Sequence, residues 1–301
     1  MRLRPFEEPD FGAVLDLMNA HQQAAFGERD VTADDLRRWL ETPYVTVADD
    51  LRVLEQDGRL VGYADVDSNR EEPPVWWCDV KVAPDADVDA VLGELLPWLE
   101  QRAARGRLRT WTAADDERVV AAYGRLGFTP ARHSYRMEIS LDGDRREPVW
   151  PEGISVRTLE PGEERRVHEA VTEVWRDTSD PFDETYEEWA HWMVDSPSFD
   201  PSLWFLALAG DDLAGFSLCR GDTMDPAAGH VNTLGVRRPW RRQGLGEALL
   251  LHSFLAFRER GLTRATLGVD ASSPTGATRL YERAGMSVYR DTLFLEREVR
   301  G

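Results

Sequence analysis

Apolar and polar positions along this chain follow an order of patterns that is run through twice. From residue 154 onward, "ISVRTL" alternates with period two, whereas "EERRVHEAVTEVW" and "YEEWAHWMV" repeat their apolar residues at helical spacing. "LWFLALAGDDLAGFSLCRG" is two alternating runs about a Gly-Asp-Asp turn, which is a hairpin pattern. "HVNTLGV" then predicts a strand, "GEALLLHSFLAFRERG" a helix, "RATLGVD" a strand and "GATRLYERAG" a last helix. The earlier half carries the same order. "LRPFEEPD" from Leu3 resembles "VRTLEPGE" from Val156, and Gly62, Gly106 and Gly127 find partners in Gly215, Gly261 and Gly285. The separation between partners widens along the chain, so the second copy has gained residues in two places.

Strands and helices interleaved with a hairpin predict an α/β domain with a mixed sheet in each copy, hence two tandem domains, residues 1–145 and 146–301. The boundary is expected in "SLDGDRREPVWPEG", residues 140–153, where charge, Gly and Pro cluster between two strand patterns. A chain of 301 residues with 42% hydrophobic content can fill two such cores. No run approaches the ~18 apolar residues of a membrane span. The opening "MRLRPFEEPDFGAVL" holds no uninterrupted apolar stretch, so a cytoplasmic protein without a membrane partner is expected. Cys78 and Cys219 lie far apart without metal-type spacing and read as small buried apolar residues, with no metal site. The formal net charge of −19 argues against nucleic acid as a partner and favours a cationic small-molecule substrate.

Against that acidic background the stretch "RRPWRRQGLGEALL", Arg237 to Leu250, calls for an anion. It joins the strand "NTLGV" to a helix beginning near Gly246. Glycines at such a transition let backbone N–H groups approach a ligand, and a helix N-terminus offers unpaired donors and the positive end of its dipole. Arg241 and Arg242 add charge where those donors converge. The first copy has "VKVAPDADVDAVLGELL" instead, shorter and with Asp85, Asp87 and Asp89 near where the second has arginines. Carboxylates there oppose a phosphate, so the first copy is expected to be degenerate.

Arg241, Gly244 and Gly246 stand at the spacing of the acetyl-CoA signature of the GCN5-related N-acetyltransferases, and "LYERAGM" resembles a second motif of that family. The chain thus resembles this family over the whole second copy, and in its tandem architecture it is similar to the mycothiol synthases. The resemblance implies acetyl-CoA as cosubstrate. Its pyrophosphate would be held by the backbone from Arg241 through Arg242, Gln243, Gly244, Leu245 and Gly246 to Glu247, and its pantetheine would pair with Leu234, Gly235 and Val236 as an added strand. Where the family often has an asparagine after the fifth strand this chain has serine, with Ser273 the nearest match and Ser272 the alternative.

Acetyl transfer to an amine needs an uncharged nucleophile, a stabilised oxyanion and a proton for the departing thiolate. Tyr281 matches the family's general acid; the plain alternative is an amphipathic-helix residue filling core. Tyr123, its counterpart in the first copy, reads as structural. His230 stands where many members carry an acidic base, and an imidazole with a pKa of about 6.5 suits that task; the plain alternative is a structural histidine. Trp76 or Trp77 occupies the matching place in the first copy. The acceptor wall is expected in "RDTSDPFDETYEEWAHWM", where Asp177, Asp180, Asp183, Glu184, Glu187 and Glu188 lie beside Tyr186, Trp189 and Trp192, unless these are a solvated face and core aromatics. The reading is an N-acetyltransferase for a small, cationic amine, acting as monomer or homodimer. Alternatives are an acyl-CoA-binding sensor or scaffold, which would need neither Tyr281 nor His230, and transfer of a longer acyl group.

Overall fold

The computed structural model describes residues 1–68, 72–143, 146–178, 181, 184–222 and 225–299. The first copy folds as β1 (Arg2–Pro5), α1 (Phe11–Phe26), α2 (Ala33–Leu40), α3 (Val47–Asp50), β2 (Leu51–Gln56), β3 (Arg59–Ser68), β4 (Val75–Val82), α4 (Val88–Ala103), β5 (Gly106–Ala113), α5 (Glu117–Arg125) and β6 (Thr129–Ser140). The second folds as β7 (Ile154–Thr158), α6 (Glu164–Trp175), α7 (Tyr186–Met193), β8 (Trp204–Ala209), β9 (Asp212–Gly221), β10 (Ala228–Val236), α8 (Leu245–Glu259), β11 (Arg264–Asp270), α9 (Ala277–Ala284) and β12 (Ser287–Val299). The predicted element order holds in both copies, and the architecture is mixed α/β. No helix among the described residues is long and apolar enough to cross a membrane.

The chain divides into two compact units, Met1–Ser134 with Arg290–Gly301, and Tyr135–Tyr289. They do not simply follow the repeat. In the first unit the strand order is β1-β2-β3-β4-β5, and Thr292–Val299 of β12 pairs antiparallel with β5. In the second, the end of β6 is followed by β11-β10-β9-β8-β7. The last strand of each copy therefore crosses from one unit to the other. Periodicity cannot foresee this, since an alternating strand buries its faces equally well against either neighbour and only pairing selects one.

Within the second unit, α8 packs Leu245, Leu249, Leu250, Phe254 and Phe257 on one face of the sheet. On the other face Val167 and Val171 of α6 and Trp189 of α7 meet Trp204, Leu206, Phe216 and Leu218. Two glycines set how closely these layers approach. A Cβ on Gly229 would stand 2.5 Å from the Phe257 ring, and one on Gly235 would stand 2.3 Å from Cζ of Phe216. Cys78 and Cys219 are free and buried.

Candidate active site

A cavity of about 610 Å³ opens at the N-terminus of α8. Its wall includes Leu234, Gly235, Val236, Arg241, Arg242, Gly244, Leu245, Gly246, Glu247 and Tyr281, so most of the residues expected to hold the cosubstrate are brought together. Gly244 sits at the helix cap with φ of 86° and no side chain capping the first turn. The first helical hydrogen bond runs from Ala248 N–H to Gly244 O. The N–H groups of Leu245, Gly246 and Glu247 therefore have no helical acceptor, and these residues line the cavity, an arrangement of donors that suits an anion. Gly246 lies under Leu280, whose Cδ1 would be 3.3 Å from an added Cβ.

The β10 edge offers the second element. β10 runs parallel to β11 only from Ala228/Arg264 to Val231/Leu267. Its pairing with β9 slips between Val231 and Thr233, leaving Asn232 as the extra residue of a bulge. Beyond the bulge Leu234, Gly235 and Val236 pair with Ser217, Phe216 and Gly215 of β9, and β11 no longer follows on their other side. This exposed edge beside the cavity suits an extended ligand arm added as a strand. The carbonyl of Val236 is taken by Arg241 Nε at 2.8 Å. The polar pair Asn232-Thr233, which interrupts the alternation of "HVNTLGV", is the sequence signal for the bulge.

The arginines divide their work. Arg237 bonds Glu173 at 2.7 Å and the carbonyl of Leu213, and so ties the loop to α6. Arg238 and Arg241 both reach Asp177, at 2.9 and 2.7 Å, and hold its carboxyl well below the usual range. Arg242, with φ of 60°, is exposed on the cavity wall. Gln243 turns back to the carbonyl of Pro239 and is not among the lining residues. Glu247 pairs with Arg146, which also binds the carbonyl of Arg283 at the end of α9. Ser272 turns onto Asp270 and Ser273 onto Thr275; of this loop Pro274, Thr275 and Gly276, not Ser273, line the cavity. Asp177, Ala277 and Arg283 also line the cavity, with Val174, Trp240 and Leu280. These last three carry no chemical signature, and only packing reveals them.

Tyr281 is 8% exposed and lines the cavity. Burial pushes its phenol up to about 12, so it stays protonated at neutral pH. Among the described residues its hydroxyl makes no hydrogen bond, which leaves it free to donate into the cavity. His230 departs from the sequence expectation of an ordinary imidazole. Burial first, then the charges of Arg220 and Arg136, pull its pKa down to about 3. Its Nδ1 lies 2.8 Å from Thr266 Oγ1. It stands on the last paired rungs before β10 and β11 part, rather than on the cavity wall.

The first unit shows the same elements closed. Asp87 caps α4 and accepts from the N–H groups of Asp89 and Ala90, so its own carboxylate takes the place of an external anion. Asp85 and Asp89 pair with Arg59 and Arg125. At the end of β4 the N–H of Val82 donates to His21 Nδ1 at 3.2 Å. Tyr123 lies in the core beside Phe128, around a space of only about 10 Å³.

The expected acceptor wall does not assemble from the described residues. Asp177 belongs to the arginines. Glu187 pairs with Arg165, Glu188 caps α7, and Trp189 is buried against Trp204. Asp180 and Asp183 lie outside the described residues. The case for a cationic acceptor then rests on the net charge of −19 alone.

Comparison with known proteins agrees with this geometry. The chain matches the Acetyltransferase (GNAT) family over residues 166–286. It is 32% identical over 245 residues to a mycothiol acetyltransferase of Kineococcus radiotolerans, covering 78% of this chain and 77% of that one. Another, from Thermobispora bispora, is 31% identical over 206 residues, covering 65% and 67%. Among solved structures, a GCN5-related N-acetyltransferase from Sphaerobacter thermophilus superposes with a TM-score of 0.79 at 30% identity, over 100% of this chain and 96% of that one. A tandem GNAT protein from the clavulanic acid biosynthesis pathway shares the fold, with a TM-score of 0.75 at 17% identity over 100% and 99%. With the glycine-capped helix, the open strand edge and the buried phenol in place, the chain belongs to the GCN5-related N-acetyltransferase family as a tandem two-domain enzyme that uses acetyl-CoA.

Proposed function

We propose that the second unit transfers the acetyl group of acetyl-CoA to the amine of a small molecule, and that the first unit binds no acetyl-CoA. The observation that carries this is the contrast between the two helix starts: Gly244 leaves the first turn of α8 without a capping side chain, whereas Asp87 fills the corresponding turn of α4. On this reading the pyrophosphate rests on the N–H groups from Arg241 to Glu247. The pantetheine runs along Val236, Gly235 and Leu234, and the thioester reaches the bulge where β10 leaves β11. The amine attacks the carbonyl carbon, a β10 N–H near Leu234 stabilises the oxyanion, and Tyr281 gives its proton to the departing thiolate. His230 takes part as a neutral imidazole that passes the amine proton onward to water, because a base of pKa about 3 does not retain it, and water returns a proton to Tyr281 after CoA leaves. The relatives are mycothiol acetyltransferases by name, which supports a small amine as acceptor here.

Calorimetry on the full chain should find one acetyl-CoA. Gly244→Asp should abolish that binding while the protein stays folded, because it puts a charged Cβ substituent at φ of 86° in front of the phosphates. Two bound molecules, or unchanged affinity in the variant, would refute this placement. Release of CoA in a screen of amines tests the transfer; binding without any release would favour a sensor.

A further inference from the structure

The sheet face around His230 has a charge pattern that the reading above does not use. In the β9–β10 register Arg220 stands opposite His230, and directly opposed residues project to one face. The bond from His230 to Thr266 fixes the imidazole on that face over β11. Arg264, two residues before Thr266, shares the face and binds Glu138 of β6 at 2.9 Å. Arg136, two residues before Glu138, shares it too. Arg220, His230, Thr266 and Arg136 therefore line one side of the sheet at the rungs where β10 and β11 separate, beside the expected thioester.

The charges on this face are unevenly matched. Arg264 is bonded to both Glu138 and Asp225. Arg136 is half-buried and, among the described residues, makes neither a hydrogen bond nor an ion pair. Other sheltered arginines of the chain have partners: Arg109 with Glu296, Arg237 with Glu173, Arg241 with Asp177 and Arg290 with Asp30. A sheltered guanidinium without an acceptor forgoes charge-assisted hydrogen bonds that a carboxylate or phosphate supplies in fork geometry. The charges of Arg220 and Arg136 both act on His230, which places Arg136 within electrostatic reach of the imidazole.

We propose that Arg136 is an anion subsite for the acceptor, so that the amine substrate carries a carboxylate or phosphate. The proposal rests on the transferase reading above for what lies next to the subsite. It gives the unpartnered guanidinium a use: an acceptor held by its anion keeps its amino group near that positive charge, which lowers the ammonium pKa and raises the fraction of free amine.

The test uses the full-length protein and pairs of amines that differ in the anion alone: an α-amino acid against its amide, and an aminoalkyl phosphate against the amino alcohol. CoA release should favour the anionic member by at least about 10-fold in kcat/KM, in keeping with a charged hydrogen bond. Arg136→Met keeps the apolar stem and should collapse that ratio toward one through the KM of the anionic member, and Arg136→Lys should restore part of it. The carboxylate and phosphate pairs distinguish the two anions. Equal use of both members, or an equal effect of Arg136→Met on both, overturns the proposal. Calorimetry of the same pairs on CoA-loaded protein reads the subsite without turnover. Selective binding of the anionic member without CoA release would sink the transferase reading and leave the subsite standing, whereas unselective binding or none would sink the subsite.

Discussion

On the proposed reading, single side chains at this site act through their protonation states. Tyr281 is held neutral by burial, with its pKa pushed up to about 12, and faces the cavity. Tyr281→Phe should lower kcat by roughly 10² to 10⁴ while the affinity for acetyl-CoA barely moves, because the hydroxyl matters as charge develops on sulfur. Equal losses in affinity and turnover would reduce the phenol to a packing group. His230→Ala should also lower kcat, but the acidic limb of kcat/KM between pH 5 and 8 should persist. A group whose pKa is about 3 does not titrate in that window, so the limb belongs to the acceptor amine. Its disappearance in the variant would mean that the imidazole titrates normally. Asp177 and Arg241 both line the cavity, so this carboxylate competes for the guanidinium with any anion that reaches it. Asp177→Asn should tighten acetyl-CoA binding about 3- to 10-fold at low salt, with the gain shrinking as salt rises. Weaker binding would instead assign the carboxylate to holding the arginines in place.

At the scale of elements, the strand, turn and helix around Gly244 were legible because each leaves a mark on the sequence. Gly244 is needed for its positive φ, and an apolar helix follows it. Gly235 has a different cause, since the Phe216 ring occupies the space of its Cβ. The bulge at Asn232 left a weaker mark, two adjacent polar residues in an alternating strand. The acidic-aromatic helix α7 was misleading. Glu188 caps it, Glu187 pairs with Arg165, and Trp189 fills core, so composition alone did not separate a binding wall from an amphipathic surface.

For the whole molecule, the exchanged closing strands bear on how it can be studied. A fragment of residues 1–145 lacks Arg290–Gly301, and one of residues 146–301 lacks Tyr135–Ser140, so each would lose a strand of its unit. Cosubstrate stoichiometry belongs to the full chain. Stability should depend on pH through two shielded histidines. Burial lowers His21 to about 4, assisted by Lys81, and lowers His230 to about 3. Both take up a proton on unfolding below about pH 6.5, the unfolded value, so their contribution is complete above that pH and is lost as pH falls toward 4 and 3. His21→Asn should therefore show a shallower fall of Tm between pH 6.5 and 4 than the unaltered chain. An identical slope would place His21 in solvent.

The sequence by itself determined the repeat, the mixed α/β order, the glycine turn that carries the acetyl-CoA family signature and the degeneracy expected of the first copy. These reside in local spacing: periodicity, a glycine pair before a helix, aspartates in place of arginines. Tertiary structure decided which strand closes which sheet, that Asp177 meets Arg238 and Arg241, that His230 is shielded beside Arg220 and Arg136, and that Tyr281 opens onto the cavity while Tyr123 is sealed in core. The reason is that partner choice, burial and electrostatic field are sums over residues distant in the chain, and no local pattern carries those sums.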